Sequence, residues 1–248
     1  MDLKEFFRQH PKAAIAFSGG VDSSYLLYAA LQCGADVRAY YVKGAFQPQF
    51  ELDDAQRLAR DIHAPMTVLR ADVLRDETVT ANPANRCYYC KKVVFSSIAQ
   101  AALADGYTVL LDGTNASDDA GDRPGMRALQ ELQVLSPLRL CGLTKQEIRR
   151  LSKEARLFTW DKPAYACLAT RIPTGEKITA EKLSATESAE GELFAMGFTD
   201  FRVRWYAGAA RLQFPAVQLP RVLERREEIL TKLKKYYPAV LLDLEVRG

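Results

Sequence analysis

The residues with the clearest chemical meaning form the run Ser18-Gly19-Gly20-Val21-Asp22-Ser23-Ser24. Two glycines let successive backbone N–H groups turn toward one point, three hydroxyls add donors, and a following helix adds its partial positive N-terminus. Together these make a cradle for phosphates. Asp22 is a poor phosphate contact by itself, so its natural partner is Mg2+ held against the phosphates. The Gly-Lys-Ser/Thr ending of a kinase or GTPase loop is absent. A tight turn with an N-cap would also use these residues, but the run lies between a strand pattern and a helix pattern, where anion sites form. Farther on, Asp112-Gly113-Thr114-Asn115 follows another strand pattern. Gly113 permits close backbone approach, and Thr114 and Asn115 can bond a nucleotide, giving the site a second wall. A strand-terminating turn would use the same four residues.

The heptad resembles the PP-loop of ATP pyrophosphatases, which cleave ATP between the α and β phosphates. That resemblance implies adenylation rather than kinase chemistry: an oxygen of the substrate becomes an AMP ester and pyrophosphate leaves. A carboxylate is already ionised at neutral pH, so its attack on the α-phosphorus needs no general base. A chain with only His10 and His63 suits this chemistry and makes a histidine-built metal site or a Ser-His-Asp triad improbable.

Cys87-Tyr88-Tyr89-Cys90 opens a helical pattern, and Cys167 lies in a stretch without period. C-x-x-C alone is ambiguous between a redox motif, half a zinc site and cluster ligands. Structural zinc wants four ligands, and neither a second C-x-x-C nor a histidine pair exists. Three thiolates would suit a [4Fe–4S] cluster with one iron open to an extra sulfide. Cys33 and Cys141 read as packing cysteines, because free cysteine is among the most buried residue types. An odd total of five, in a chain whose start lacks a secretory pattern, argues against a disulfide framework and for a cytoplasmic enzyme. Arg202 and Arg204 alternate with Phe201, Val203 and Trp205, so a strand there puts both guanidiniums on one face. Such a pair can grip a phosphate or carboxylate, although a solvated outer face has the same pattern.

These groups need elements to hold them. Short apolar runs alternate with amphipathic stretches: strands at Ala13–Phe17, Val37–Val42, Met66–Leu69, Val109–Asp112 and Gln133–Leu135, helices at Ser24–Cys33, Glu51–Ile62, Cys87–Leu103 and Thr144–Ala155. The last opens with a T-x-x-E capping box. This order predicts an α/β fold, a parallel sheet with helices on both faces, whose ligands sit beyond the carboxyl ends of the strands. After Arg156 the pattern changes: an irregular stretch, a helix over about Ala180–Met196, a hairpin turning at Ala207–Gly208, a helix over Pro220–Lys235 and a strand at Val240–Val246. The boundary falls between about 157 and 176. It separates a nucleotide-type domain, 1–160, from a smaller C-terminal α+β domain, 161–248, that carries Cys167. Hydrophobic residues at 48%, charged residues at 26% and a net charge of +3 describe an ordinary globular chain. A membrane span is excluded and a nucleic-acid partner is not expected.

SGGVDSS, NRCYYCKK (85–92), DGTNASDD (112–119), RPG (123–125), SPLR (136–139) and KPAYACLATRIPTGEKIT (162–179) together resemble the LarE family, ATP-dependent sulfur-inserting enzymes of nickel-pincer nucleotide cofactor biosynthesis. The resemblance spans nearly the whole chain and is most specific around Cys167. It implies ATP and Mg2+ bound by Ser18, Gly19, Gly20, Asp22, Ser23, Ser24, Gly113 and Thr114. The implied substrate is a small nucleotide, pyridinium-3,5-biscarboxylate mononucleotide, whose carboxylates are adenylated and then sulfurated. Some relatives have only the linker cysteine, surrender its sulfur and keep dehydroalanine. Others add the C-x-x-C pair and are thought to carry a replaceable sulfide on a cluster. With Cys87, Cys90 and Cys167 this chain resembles the second type, which needs a sulfide donor. The resemblance also sets Glu190 with Arg202 and Arg204 near the substrate phosphate or a metal and implies a homo-oligomer such as a hexamer, while Arg171, four residues after Cys167, reads as a further anion contact able to lower the Cys167 pKa. A tRNA thiolase of the same superfamily is the alternative. A non-catalytic nucleotide sensor would leave Cys167 and the arginine pair idle.

Overall fold

The computed structural model of the chain describes residues 1–118 and 124–247; Asp119 and Arg123, at the edges of two motifs, lie outside the described residues. The chain separates into two compact units, Met1–Val73 with Asn85–Tyr165, and Leu74–Ala84 with Ala166–Gly248. Residues 74–84 are grouped with the second unit although they fall within 1–160.

In the first unit, strands β1 (Lys12–Ala16), β2 (Asp36–Lys43), β3 (Met66–Arg70) and β4 (Leu110–Leu111) form one parallel sheet in the order β3-β2-β1-β4. On one face Ala13 and Ile15 pack with helices α1 (Leu3–Gln9), α2 (Val21–Gln32) and α3 (Gln49–Asp61) through Phe6, Phe7, Leu26, Leu27 and Leu58. On the other, Ala14, Tyr40 and Val42 meet Phe95 and Ile98. Between β3 and β4 in sequence come the short α4 (Glu77–Thr80), which is grouped with the second unit, and the long α5 (Arg86–Ala104), which carries Phe95 and Ile98. Burial on both faces is why β1 reads as a continuous apolar run instead of an alternation. The chain leaves β1 toward β2 on one side and returns to β4 on the other. That reversal makes the carboxyl ends of β1 and β4 a switch point, where ligands of such sheets bind.

Past β4 come α6 (Pro124–Glu131), α7 (Pro137–Leu140) and α8 (Lys145–Glu154). The capping box is present: the Thr144 hydroxyl accepts from Glu147 N, and the Glu147 carboxylate accepts from Thr144 N at 2.9 Å. The expected strand at Gln133–Leu135 does not form. Gln133 adopts a left-handed φ of 53° and Val134 N bonds Leu129 O to close α6, leaving only a parallel bridge between Leu111 and Leu135. Cys33 is also not a packing cysteine; it caps the C-terminus of α2 and is exposed, because Gly34, at φ 74°, turns the chain there. Cys141 does pack partly buried against the first core.

The second unit sets α9 (Ala180–Ala195) against a mixed sheet of β5 (Arg202–Tyr206), β6 (Ala209–Gln213) and β7 (Val240–Leu242). Its core joins Leu193, Phe198, Phe201, Val203, Phe214, Leu233 and Tyr237. The β5–β6 hairpin turns through Ala207 and Gly208 at φ 47° and 84°, the two left-handed residues a tight primed turn requires. The expected helix over Pro220–Lys235 is instead two, α10 (Leu219–Glu224) and α11 (Arg226–Leu233). The break falls at Arg225, whose guanidinium donates to Met196 O at 2.7 Å. The last strand stops at Leu242 because the Asp243 carboxylate accepts from Glu245 N at 3.1 Å and bends the chain. Residues 80–82 are tied into this unit by Ile178 N to Thr80 O and Gly175 N to Asn82 O, both 2.8 Å. Among the described residues no helix is long and apolar enough to cross a membrane.

Candidate functional site

The loop after β1 and the loop after β4 line one cavity of about 320 Å³, with Ser18, Gly20, Asp22, Ser23, Gly113 and Thr114 in its wall. Ser18 and Ser23 hold the first loop in shape: their hydroxyls lie 3.0 Å apart, Ser23 Oγ donates to Gly20 O at 3.2 Å, and Gly20 N donates to Ser18 Oγ. The two loops touch. A Cβ at Gly113 would sit 2.8 Å from Ser23 N, so only glycine lets the second loop approach the first turn of α2. Asp112 shapes its own turn by accepting from the Thr114 hydroxyl and from Ser136 Oγ at 2.6 Å. Three expected contacts fall away from the cavity, the first being Gly19, which is buried against Ala55 of α3. Ser24 is fully buried beneath the loop, and Asn115 accepts from Ser117 N at 2.8 Å, which serves its own turn.

Asp22 stands in the first turn of α2. Its Oδ2 accepts from Lys145 Nζ at 2.6 Å, while its buried Oδ1 has no hydrogen-bond partner among the described residues. Burial pushes the Asp22 pKa up, and Lys145 opposes that shift. A buried carboxylate oxygen with nothing bound to it fits an oxygen-seeking cation. Lys145 is aimed by the capping box, whose Thr144 fixes where α8 begins. Lys91, which the sequence reading passed over, also lines the cavity, and burial lowers its pKa against the opposing pull of Asp112, Cys87, Asp118 and Cys90. Its position was readable in one respect: it lies one helical turn after Cys87 in α5. A third lysine, Lys162, reaches the loop from the stretch after α8, with Nζ 2.7 Å from Asp54 and 3.4 Å from Gly19 O.

In the second unit Cys167 is half-buried and caps a single 3-10 turn, Leu168–Arg171. Thr170 closes the turn by donating its N–H at 2.9 Å and its hydroxyl at 2.8 Å to Cys167 O. Arg171 is 1% exposed and reaches Glu190, also 1% exposed, with Nε to Oε1 at 2.7 Å and a second N–H at 3.3 Å. The Arg171 guanidinium also donates to Ala166 O and Thr170 Oγ1, and Glu190 accepts from Val203 N at 3.0 Å. These two residues therefore brace the cysteine turn against α9 and β5. Arg204 joins them, donating to Thr170 O at 2.9 Å. Arg202 is 4% exposed and Arg204 half-buried, so the pair does not form a solvated outer face. Burial, with Arg171 and Arg247 nearby, pushes the Arg202 pKa down to about 10, and burial with the same neighbours lowers that of Arg204. Arg171 and Arg247 lie close enough to both arginines to lower their pKa, so several guanidiniums are gathered in this part of the unit.

The cysteines of the expected cluster are divided between the units: Cys87 and Cys90 stand one turn apart at the start of α5, and Cys167 belongs to the second unit. Among the described residues no three His, Cys, Asp or Glu side chains form a metal-ligating group.

No family model matches the chain. It is 36% identical to an uncharacterized protein of Synechocystis sp., over 98% of this chain and 92% of that one. It is 30% identical, over 94% of this chain and 86% of the relative, to the pyridinium-3,5-bisthiocarboxylic acid mononucleotide synthase of Lactiplantibacillus plantarum. A tRNA-specific 2-thiouridylase MnmA of Thermotoga sp. is 25% identical over 58% of this chain and 52% of its own length.

Proposed function

The chain belongs to the LarE family of ATP-dependent sulfurtransferases, and from that membership we propose that it converts the carboxylates of pyridinium-3,5-biscarboxylic acid mononucleotide into thiocarboxylates through acyl adenylates. The observation that carries the reading is the cavity at the β1–β4 switch point. There a glycine-rich loop, Lys91 and Asp22 line one volume, and Asp22 keeps a buried Oδ1 without a partner among the described residues. ATP lies with its phosphates against Ser18–Ser23 and Gly113–Thr114. Asp22 would hold Mg2+, which supplies charge neutralisation on the phosphates.

A substrate carboxylate oxygen attacks the α-phosphorus, the bond to the bridging oxygen of the β-phosphate breaks, and pyrophosphate leaves with that electron pair. No proton moves in this step. Loop N–H groups and Lys91 stabilise the charge that accumulates on the departing group, an electrostatic contribution worth several kcal/mol in such sites. The Cys167 thiolate then attacks the acyl carbon and displaces AMP, forming a thioester. Loss of the Cys167 Cα proton to a base, with cleavage of Cβ–S, releases the thiocarboxylate and leaves dehydroalanine. Cys87 and Cys90 would supply two ligands of a [4Fe–4S] cluster, which would supply a replaceable sulfide and spare Cys167. Two thiols one helical turn apart are suitable soft donors for it.

Pyrophosphate release tests the first half. ATP with the pyridinium dicarboxylate releases pyrophosphate and ATP alone does not; release driven by tRNA instead would assign the thiolase reading. Mass spectrometry of the protein after turnover tests the second half. Loss of the elements of hydrogen sulfide from Cys167 marks the sacrificial route, and an unchanged mass with sulfide-dependent turnover marks the cluster route.

A further inference from the structure

The arginine pair on β5 is not held by β5. Arg204 Nε donates to Gln213 Oε1 on the neighbouring strand, and Gln213 Nε2 donates to Asp243 Oδ2 at 2.8 Å. Arg202 faces Asp200, 3.8 Å from its guanidinium, and Asp200 accepts from Arg247 Nε at 2.7 Å. Both chains of contact end in the segment that follows β7. That segment is itself anchored to the strand it runs beside, with Asp243 N bonded to Leu212 O and Arg247 N to Phe214 O, each at 2.9 Å.

We infer that the C-terminal segment 243–247 is a positioning layer for the anion grip, with Asp243 aiming Arg204 through Gln213 and Arg247 aiming Arg202 through Asp200. The inference rests on the reading that Arg202 and Arg204 hold the phosphate or carboxylate of the mononucleotide substrate.

The chemistry of the two links supports it. A grip must orient a guanidinium without consuming its charge. Gln213 is neutral, so it fixes the Arg204 plane and leaves the charge whole. Asp200 is charged, but Arg247 takes the closer contact, so Arg202 is steered by a carboxylate that another arginine already neutralises. Arg211 plays the corresponding part at Asp243, 3.4 Å away. Two arginines two residues apart on one strand repel, and these contacts add to the bonds that Arg204 makes to Thr170 O and Arg202 to Phe201 O in holding them side by side. Preorganisation of this kind reads out in affinity, because a displaced contact group loses alignment with its ligand.

The test compares Arg204→Gln, Arg247→Ala, Arg247→Lys and Asp243→Ala in the full chain, measuring KM for the pyridinium dicarboxylate mononucleotide, KM for ATP and kcat. Arg247→Ala and Asp243→Ala are expected to raise the mononucleotide KM roughly tenfold, with KM for ATP and kcat unchanged within about twofold. Arg247→Lys should recover most of the loss. If Arg204→Gln raises the mononucleotide KM while both C-terminal alanine variants leave it unchanged, the inference is overturned and the substrate reading stands. If Arg204→Gln itself changes nothing, the substrate reading falls and the inference with it. Should Asp243→Ala fail to fold, Arg247→Ala decides alone, since that side chain is 23% exposed and lies outside the core.

Discussion

Arg171 next to Cys167 invites assignment as a catalytic cation, yet its burial and its bonds say it is structural, and the difference is measurable. Replacing it with Met removes both N–H contacts to Glu190 and leaves that carboxylate charged inside the second core, 1% exposed. Removing one partner of a buried ion pair costs about 3–5 kcal/mol, because the remaining charge loses its compensation. For a chain of this size each kcal/mol moves Tm by about 2–4 °C, so Arg171→Met is expected to lower Tm by roughly 6–20 °C. Glu190→Gln should lower it by less, since it removes the balancing charge while Ala166 O and Thr170 Oγ1 still accept from the guanidinium. The double variant Arg171→Met/Glu190→Leu should recover much of the loss, short of the bond that Val203 N then lacks, a deficit of about 1–3 kcal/mol. Thermal unfolding followed by circular dichroism gives the answer. An Arg171→Met protein that melts within about 2 °C of the native chain yet makes no thiocarboxylate would refute the reasoning and return Arg171 to the chemistry.

Three further outcomes follow from the first unit. Gly113→Ala forces a methyl into Ser23 N, and overpacking of about 1–3 kcal/mol should separate the loops and weaken ATP binding by calorimetry; unchanged affinity would mean that the two loops do not share one ligand. Lys91→Gln should weaken ATP binding and slow pyrophosphate release without shifting Tm downward, since it also removes a half-buried charge; an unaltered rate would exclude it from the phosphate site. Thr144→Ala should cost about 1 kcal/mol by chemical denaturation through loss of the cap, and a neutral result would show that Glu147 alone holds that helix end.

What could be read from sequence was what depends on neighbours in the chain. The glycine-rich loop after β1, the Thr144–Glu147 box and the left-handed pair at the hairpin are each set by a few consecutive residues, and each is present where its residues stand. What escaped depends on distant partners. Nothing local marks Gln133 as left-handed, and β4 proved too short to recruit a fifth strand. Period alone carried a helix through Arg225, where the backbone leaves helical values at φ −99° and ψ 19°. The arginine pair was visible as alternation, but alternation cannot distinguish a solvated face from a buried one. Burial of Arg202 is decided by α9 and the segment after β7, not by β5.

The histidines bear on how the proposed chemistry must run. His10 stacks on Phe6 with ring centroids 4.6 Å apart, and His63 ends α3 in a left-handed conformation; neither lines the cavity that holds the phosphate loop. An acyl transfer that began with deprotonation of a hydroxyl or water would need a base there, and the imidazole that usually serves is elsewhere. Adenylation of a carboxylate has no such requirement, because the nucleophile enters already charged and the leaving group departs as an anion. The demand falls on electrostatics instead: bringing a carboxylate up to a polyphosphate means overcoming repulsion between like charges. In the proposed reaction Lys91 and Lys145, the N-terminus of α2 and a cation at Asp22 would answer that demand for the polyphosphate, and the arginine pair would answer it for the substrate. Charge compensation would then serve the proposed adenylation, and proton transfer would enter only afterwards, when the Cys167 thiol is ionised for attack and again when its sulfur leaves.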